Sequence, residues 1–369
     1  MMKKIKEYFH RNKYWILVSI TYLTLIYSTG LHYAFGKERT IDLAYFVWEE
    51  EELAKHYPDL GSLIGEPLDY NWRNIWKLSS FCWDCGYYLL QSEEIGTAIP
   101  PYKYRVLPPI IVKMISTILQ ISKEMSFVIM NIAAVFLTAL LFNLFLIKDL
   151  KFSKIIAFIG GILFVTMVSV TRTVPFPMLD PISYLVTILI FIAVIRKNPY
   201  LFLFTAITGV MTKEILAISA LMWFVETFQL KNKITLLKNT AIAAVPIIIF
   251  VIVRISLGGS AFEVEYGHNI LRGEFPELWN RFFNIKGLIY IISMVFLSFS
   301  FLWSGLINIT KDQFFKKHAI IIPLVIIATV LFSWRITRPL GILFPLVIPM
   351  FLTFFRDDKK IDSKPEYLS

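Results

Sequence analysis

Apolar runs of roughly 17–25 residues, the length that carries a helix across about 30 Å of hydrocarbon, recur along this chain from Tyr14 almost to its end. No other feature restricts the fold as strongly. In lipid every backbone N–H and C=O must be paired inside its own segment or around a closed sheet, so only helices and barrels cross. Barrel strands alternate apolar and polar residues, and these runs do not. The expected class is all-α, a polytopic transmembrane helical bundle. Composition agrees, because 56% of the 369 residues are hydrophobic and only 17% are charged. The mean hydropathy of +0.63 exceeds what a soluble core of this size requires.

The first run follows the basic stretch MMKKIKEYFHRNK. It is too long for a secretory signal and no small-residue cleavage site follows, so it reads as a retained first helix. The formal charge is +10, from 37 Lys and Arg against 27 Asp and Glu. Such an excess also occurs in nucleic-acid binders. Here the Lys and Arg sit mostly in short links between apolar runs, and no nucleic-acid partner is expected.

Those links decide the topology. Residues 1–13, 148–154, 196–198, 231–238, 311–318 and 356–360 are basic, and the positive-inside rule assigns them all to the cytoplasm. The signs then alternate with about ten helices, near 14–35, 126–147, 155–171, 181–195, 199–211, 215–230, 240–256, 286–309, 318–333 and 339–355. The whole chain, 1–369, reads as a single integral membrane domain. A long outer loop occupies 36–125, a second outer loop 257–286 and a cytoplasmic tail 356–369. Both ends lie inside, as in a multi-pass protein of the cell (inner) membrane. One apolar segment, 106–121 (VLPPIIVKMISTILQI), must then stay out of the span count. It is only about 24 Å long as a helix, and Lys113, Ser116, Thr117 and Gln120 share one face. It reads as an amphipathic helix on the outer surface, with Pro108 and Pro109 in its first turn. As a short tilted span it would invert everything after it.

The outer face gathers the unusual polar residues. In WDCGYY (83–88), Asp84 lies among aromatics, whose partial desolvation makes a carboxylate a better proton acceptor; a solvated carboxylate or a helix cap is the plainer reading. In PYKYRVLP (101–108), Lys103 and Arg105 suit an anionic head group, although snorkelling side chains look the same. In TRTVPFPMLDP (171–181), Arg172 reaches the outer interface and Asp180 is placed to cap the next helix. The link MTKE (211–214) is so short that Lys213 and Glu214 lie at or below the membrane surface. Buried charge there marks a functional site or a structural ion pair, between the two or to Arg172. In WRITRP (334–339), Arg335 and Arg338 form the one basic link placed outside. They suggest a bidentate anion clamp, unless the topology slips by one helix. The second loop adds Glu263, Glu265, Tyr266, His268 and Arg272 without a spacing that selects any of them. One or two carboxylates with about five cations suit transfer of a group from a phosphate leaving group. The carboxylate takes the proton of the attacking hydroxyl while cations absorb the departing charge.

At these positions the sequence resembles the lipid-linked-sugar-dependent glycosyltransferases of the GT-C type. The likeness lies in a basic N-terminus, one helix, a long outer loop carrying WDCGYY, and PYKYRVLP before an amphipathic helix. It extends to LDPISY (179–184) and GVMTKEIL (209–216), and covers about residues 3–226. The resemblance implies a GT-C-like bundle that makes cell-envelope glycan, with a polyprenyl-phosphate sugar as donor and inverting transfer on the outer face. It also implies an acidic residue of the first loop as general base. Asp84 fits that base, and Arg105, Lys213 and Glu214 match the family's polar positions. Lys103, Arg105, Arg172, Lys213, Arg335 and Arg338 are then the donor-phosphate ligands. Tyr87, Tyr88, Asp180, Glu214 and His268 are the acceptor or cleft residues. The acceptor is a glycan, lipid or protein, with membrane lipids as further partners; no cofactor or metal is assigned.

Two other classes stand beside this one. Cys82 and Cys85, the only cysteines, have the C-x-x-C spacing on the oxidising side, as in a thiol oxidase. Such enzymes generally relay electrons through a second pair, which this chain lacks. A transporter or lipid flippase would use Lys213 and Glu214 as coupling sites, but would place its charges near the midplane.

Overall fold

The computed structural model describes residues 2–31, 88–89, 91–96, 98, 102–167, 170, 173–174, 177–228, 232–258, 284–332 and 337–356. Those residues are helical or connecting, with no strand among them. Helix α1 (Met2–Leu25) continues as a π-helical turn to Leu31. A 3-10 turn at Tyr102–Tyr104 leads into α2 (Leu107–Leu119). Then follow α3 (Lys123–Lys148), α4 (Lys154–Val165), α5 (Asp180–Ile195) and α6 (Pro199–Val210). A 3-10 segment, Glu214–Ile218, opens α7 (Ser219–Thr227), and α8 is Lys233–Ser256. Helix α9 (Ile285–Phe299) runs on as a 3-10 segment, Ser300–Lys311. The last elements are α10 (Gln313–His318), α11 (Ile321–Phe332), α12 (Thr337–Leu340) and α13 (Phe344–Leu352).

Local chemistry sets these boundaries. Ser122, Ser153, Asn198 and Asn232 stand just before α3, α4, α6 and α8, and each side chain accepts a first-turn backbone N–H. Pro108, Pro181 and Pro199 occupy first-turn positions, where their missing N–H is not needed. Gln120, in the left-handed region at φ 53°, ends α2.

Each expected apolar run contains helix among its described residues, but not every helix has spanning length. Among the described residues, four helices are long and apolar enough to cross a membrane: Lys123–Lys148, Lys233–Ser256, Ile291–Lys311 and Arg338–Phe355. Helices α4 and α6 have 12 residues each, about 18 Å, against the 17 and 13 expected from the runs 155–171 and 199–211. The run at 215–230 starts as 3-10 helix rather than α, and that at 286–309 breaks at Ser300, whose φ is +49°. His318, placed at the head of the ninth run, belongs instead to α10.

Helix α5 is apolar on nearly every side and buried throughout, which makes it the centre of the bundle. It packs on α3, α6, α7 and α13. Helix α8 lies at the rim and exposes Ile247, Ile248, Ile252 and Ile255, as a lipid-facing helix does. Glycines allow the closest approaches. A Cβ on Gly161 would sit on the Tyr22 ring, and one on Gly305 would sit within 2.3 Å of the Phe351 backbone nitrogen.

The basic links collect at one end of this bundle. Arg196 makes a two-point ion pair with Asp149, both contacts at 2.9 Å. Glu226 takes Lys197 at 3.6 Å, with Lys317 and His318 each at 3.2 Å. Arg356 pairs with Asp312, and the Tyr14 hydroxyl donates to the Lys154 carbonyl at 2.8 Å. Helix α2 packs on α3 at the opposite end through Val112, with Lys113, Thr117 and Gln120 exposed beside Met114, Ile118 and Leu119.

Candidate functional site

The end away from the basic links holds a charged cluster built from five parts of the chain. The start of α2 is tied to the end of α6, where Leu107 N–H donates to the Met211 carbonyl at 3.2 Å. That bond brings the turn at 102–105 beside the 211–214 junction. Arg105 uses the proximity: its Nε lies 3.0 Å from both Glu214 oxygens and its Nη2 is 3.0 Å from Oε2. Arg105 Nη1 also donates to the Tyr88 hydroxyl. The guanidinium lies 5.3 Å from the centre of the Tyr102 ring, and Tyr102 meets Tyr88 edge to face at 5.5 Å. Gln91, fully buried, donates to the Lys103 carbonyl at 2.7 Å and accepts from Gly96 N–H at 2.8 Å, pinning this turn from below.

The second half of the cluster centres on Asp180. Lys213 Nζ donates to its Oδ1 at 2.6 Å, and Arg338 donates to Oδ2 from Nη2 at 2.6 Å and from Nε at 3.2 Å. Asp180 is 1% exposed. A carboxylate so enclosed survives only because charge-assisted donors fill its lone pairs. Its capping role is therefore corrected. Leu179 occupies the cap position of α5, and the Asp180 side chain makes no bond to the backbone there, because two cations offer stronger donors.

The adjacent Lys213 and Glu214 do not pair with one another; the expected link to Arg172 lies outside the described residues. Backbone at Lys213 is extended (φ −159°, ψ 132°), which sends neighbouring side chains to opposite sides. One goes to Asp180 and the other to Arg105. Burial pushes the Lys213 ammonium below the usual lysine value; Asp180 opposes that shift, and the Arg338 and Arg105 cations add to it. For Arg105, burial works against the charge, yet Glu214, with Tyr88 and Tyr102, together more than offset it and hold the guanidinium well above its ordinary value.

Of the residues expected at the site, Arg105, Lys213, Arg338, Tyr88, Asp180 and Glu214 are brought together here. Lys103 is adjacent, its ammonium 5.1 Å from the centre of the Tyr104 ring. Asp84, Tyr87, Arg172, His268 and Arg335 lie outside the described residues, as do Cys82, Cys85 and the polar residues of the second loop. Among the described residues, no group of three or more His, Cys, Asp or Glu side chains is placed to hold a metal ion.

Sequence reasoning missed Arg254. It sits in the last turn of α8, 3% exposed, with its guanidinium carbon 4.7 Å from the Tyr104 ring centre and 4.4 Å from that of Phe250. The signal was present in VIVRIS, a lone arginine in an apolar run, where an ionisable residue is a functional candidate by default. Charge at this end is thus shared among cations that outnumber the two carboxylates named, and each carboxylate is engaged by cations. Such a cluster holds guanidinium and ammonium groups in fixed positions and is suited to an anion. No protein-family model, curated protein or solved structure matches the chain.

Proposed function

We propose that the chain is a membrane glycosyltransferase that moves a sugar from a polyprenyl-phosphate donor to an acceptor hydroxyl on the non-cytoplasmic face. The observation that carries this reading is the convergence of Arg105, Lys213, Arg338, Asp180 and Glu214, remote in sequence, at the end opposite the basic links. In this reading the ten apolar segments are ten spans of a GT-C-like bundle, with the basic links in the cytoplasm.

The chemistry follows from the charges. A base removes the proton from the acceptor hydroxyl as that oxygen attacks the anomeric carbon. The bond from that carbon to the phosphate oxygen breaks, and the phosphate leaves with the electron pair. Arg105, Lys213 and Arg338 face the developing negative charge, while Glu214 and Asp180 keep those cations in place between turnovers. Arg172 and Arg335 are further candidates for the phosphate. Asp180 is engaged by Lys213 and Arg338, and Glu214 by Arg105. The family resemblance assigns the base to Asp84, which precedes Tyr88, the partner of Arg105, by four residues in the sequence.

Asp84→Asn is expected to abolish transfer from polyprenyl-phosphate sugars in membranes, and full activity in that variant removes Asp84 as base. Mass spectrometry of lipids that co-purify with the chain tests the donor class. A polyprenyl phosphate or its glycoside is the expected result. If neither appears, and reconstituted vesicles move a lipid or solute, the chain is a transporter or flippase instead.

A further inference from the structure

We infer that Arg254 is a positioning residue of this same site, acting through Tyr104 on Arg105, an inference that rests on the lipid-phosphate reading above. Burying a guanidinium in the last turn of an apolar helix is costly unless its flat faces and its donors are used. Both ring centres lie well inside the range at which a ring attracts a cation, 4.7 Å for Tyr104 and 4.4 Å for Phe250. Phe250 precedes Arg254 by one turn of the same helix, so that contact is local. The Tyr104 contact is not, and it ties the end of α8 to the turn at 102–105.

That turn is short and stiff. Arg105 N–H donates to the Tyr102 carbonyl at 3.1 Å, and Tyr102 and Tyr104 are both buried. Tyr104 is bonded directly to Arg105, so displacement of its ring moves the Arg105 backbone and with it the guanidinium that meets Glu214. Arg254 thus stands at one end of a chain of contacts, from α8 through Tyr104 and Arg105 to Glu214.

The test uses the full-length chain in detergent, with farnesyl phosphate as probe and farnesol and inorganic phosphate as controls. Arg254→Met, which keeps bulk but not charge, is expected to weaken farnesyl phosphate binding about tenfold. Arg254→Lys, which keeps the charge but not the plane, is expected to weaken it about threefold with an unchanged melting temperature, and it serves where the Met variant fails to fold. Because Arg254 acts through Arg105, either substitution made in an Arg105→Gln background should change the affinity by less than about twofold, a coupling that a merely structural role does not produce. An equal loss in both backgrounds, or no loss in either single variant, overturns the inference and leaves the lipid-phosphate reading standing. If the unaltered chain binds farnesyl phosphate no better than farnesol or inorganic phosphate, the lipid-phosphate reading falls and the inference falls with it.

Discussion

Asp180 shows most sharply what a single side chain decides here. With Lys213 and Arg338 both donating to a carboxylate that is 1% exposed, removal of its charge leaves two cations facing each other in a buried site. Asp180→Asn is therefore expected to cost about 3–5 kcal/mol of stability, read as a fall in melting temperature in detergent. The loss should persist whether or not a donor is present. Glu214→Gln acts differently, because Arg105 keeps Tyr88 as an acceptor. That variant should fold and lose donor affinity or turnover, measured as a change in kcat/KM. Lys213 carries the pH dependence. Its ammonium lies below the usual lysine value, so it loses its proton before an ordinary lysine does as pH rises. Activity should decline on the alkaline side below that ordinary value, and Lys213→Arg should shift the decline to higher pH, read from a pH–rate profile.

At the level of helices, approach distance is set by glycine. Without the hydrophobic effect to drive helices together in lipid, close backbone packing supplies much of the adhesion. The 3-10 segment Ser300–Lys311 meets α13 at Gly305, where a Cβ would collide with backbone rather than with a movable side-chain tip. Gly305→Ala should force these elements apart, at a cost of about 1–3 kcal/mol, and appear as poor yield of monodisperse protein. At Gly161 the obstacle is the Tyr22 ring. The Tyr22 hydroxyl donates to the Phe158 carbonyl at 3.2 Å and accepts from Asn143 at 3.0 Å, so it fastens α1 to α3 and α4. Tyr22→Phe should cost about 1 kcal/mol in thermal unfolding and leave donor binding untouched.

Among the described residues, the ion pairs gather at the two ends of the bundle. Ion pairs around Asp149, Glu226 and Asp312 close one end, and the Arg105 and Asp180 clusters occupy the other. If the first end is cytoplasmic, a cysteine replacing Lys113 on α2 should react with an impermeant maleimide from outside cells. A cysteine replacing Lys316 on α10 should react only after permeabilisation, each tested in a Cys82→Ser, Cys85→Ser background. Labelling of both from one side would remove the proposed orientation. Among the described residues four helices have the length and apolarity to span, and α4 and α6 are apolar but shorter.

That the described residues are helical was readable from the residues alone, because long apolar runs have few structures open to them in lipid, but the lengths and breaks of the helices were not. Several of the basic links do lie together, through the ion pairs of Asp149, Glu226 and Asp312. Partnership was not readable in this way. Arg105 and Glu214 are 109 residues apart, and Arg338 and Asp180 are 158 apart. Hydrophobic periodicity says which face of a helix is buried but nothing about which charge it will meet. Tertiary packing made the capping expectation for Asp180 fail and split neighbours Lys213 and Glu214 between two partners, because buried charges go to whichever opposite charges the fold brings within reach. It also brought Arg254 into the site, since only the docking of α8 against the turn at 102–105 sets a guanidinium against Tyr104.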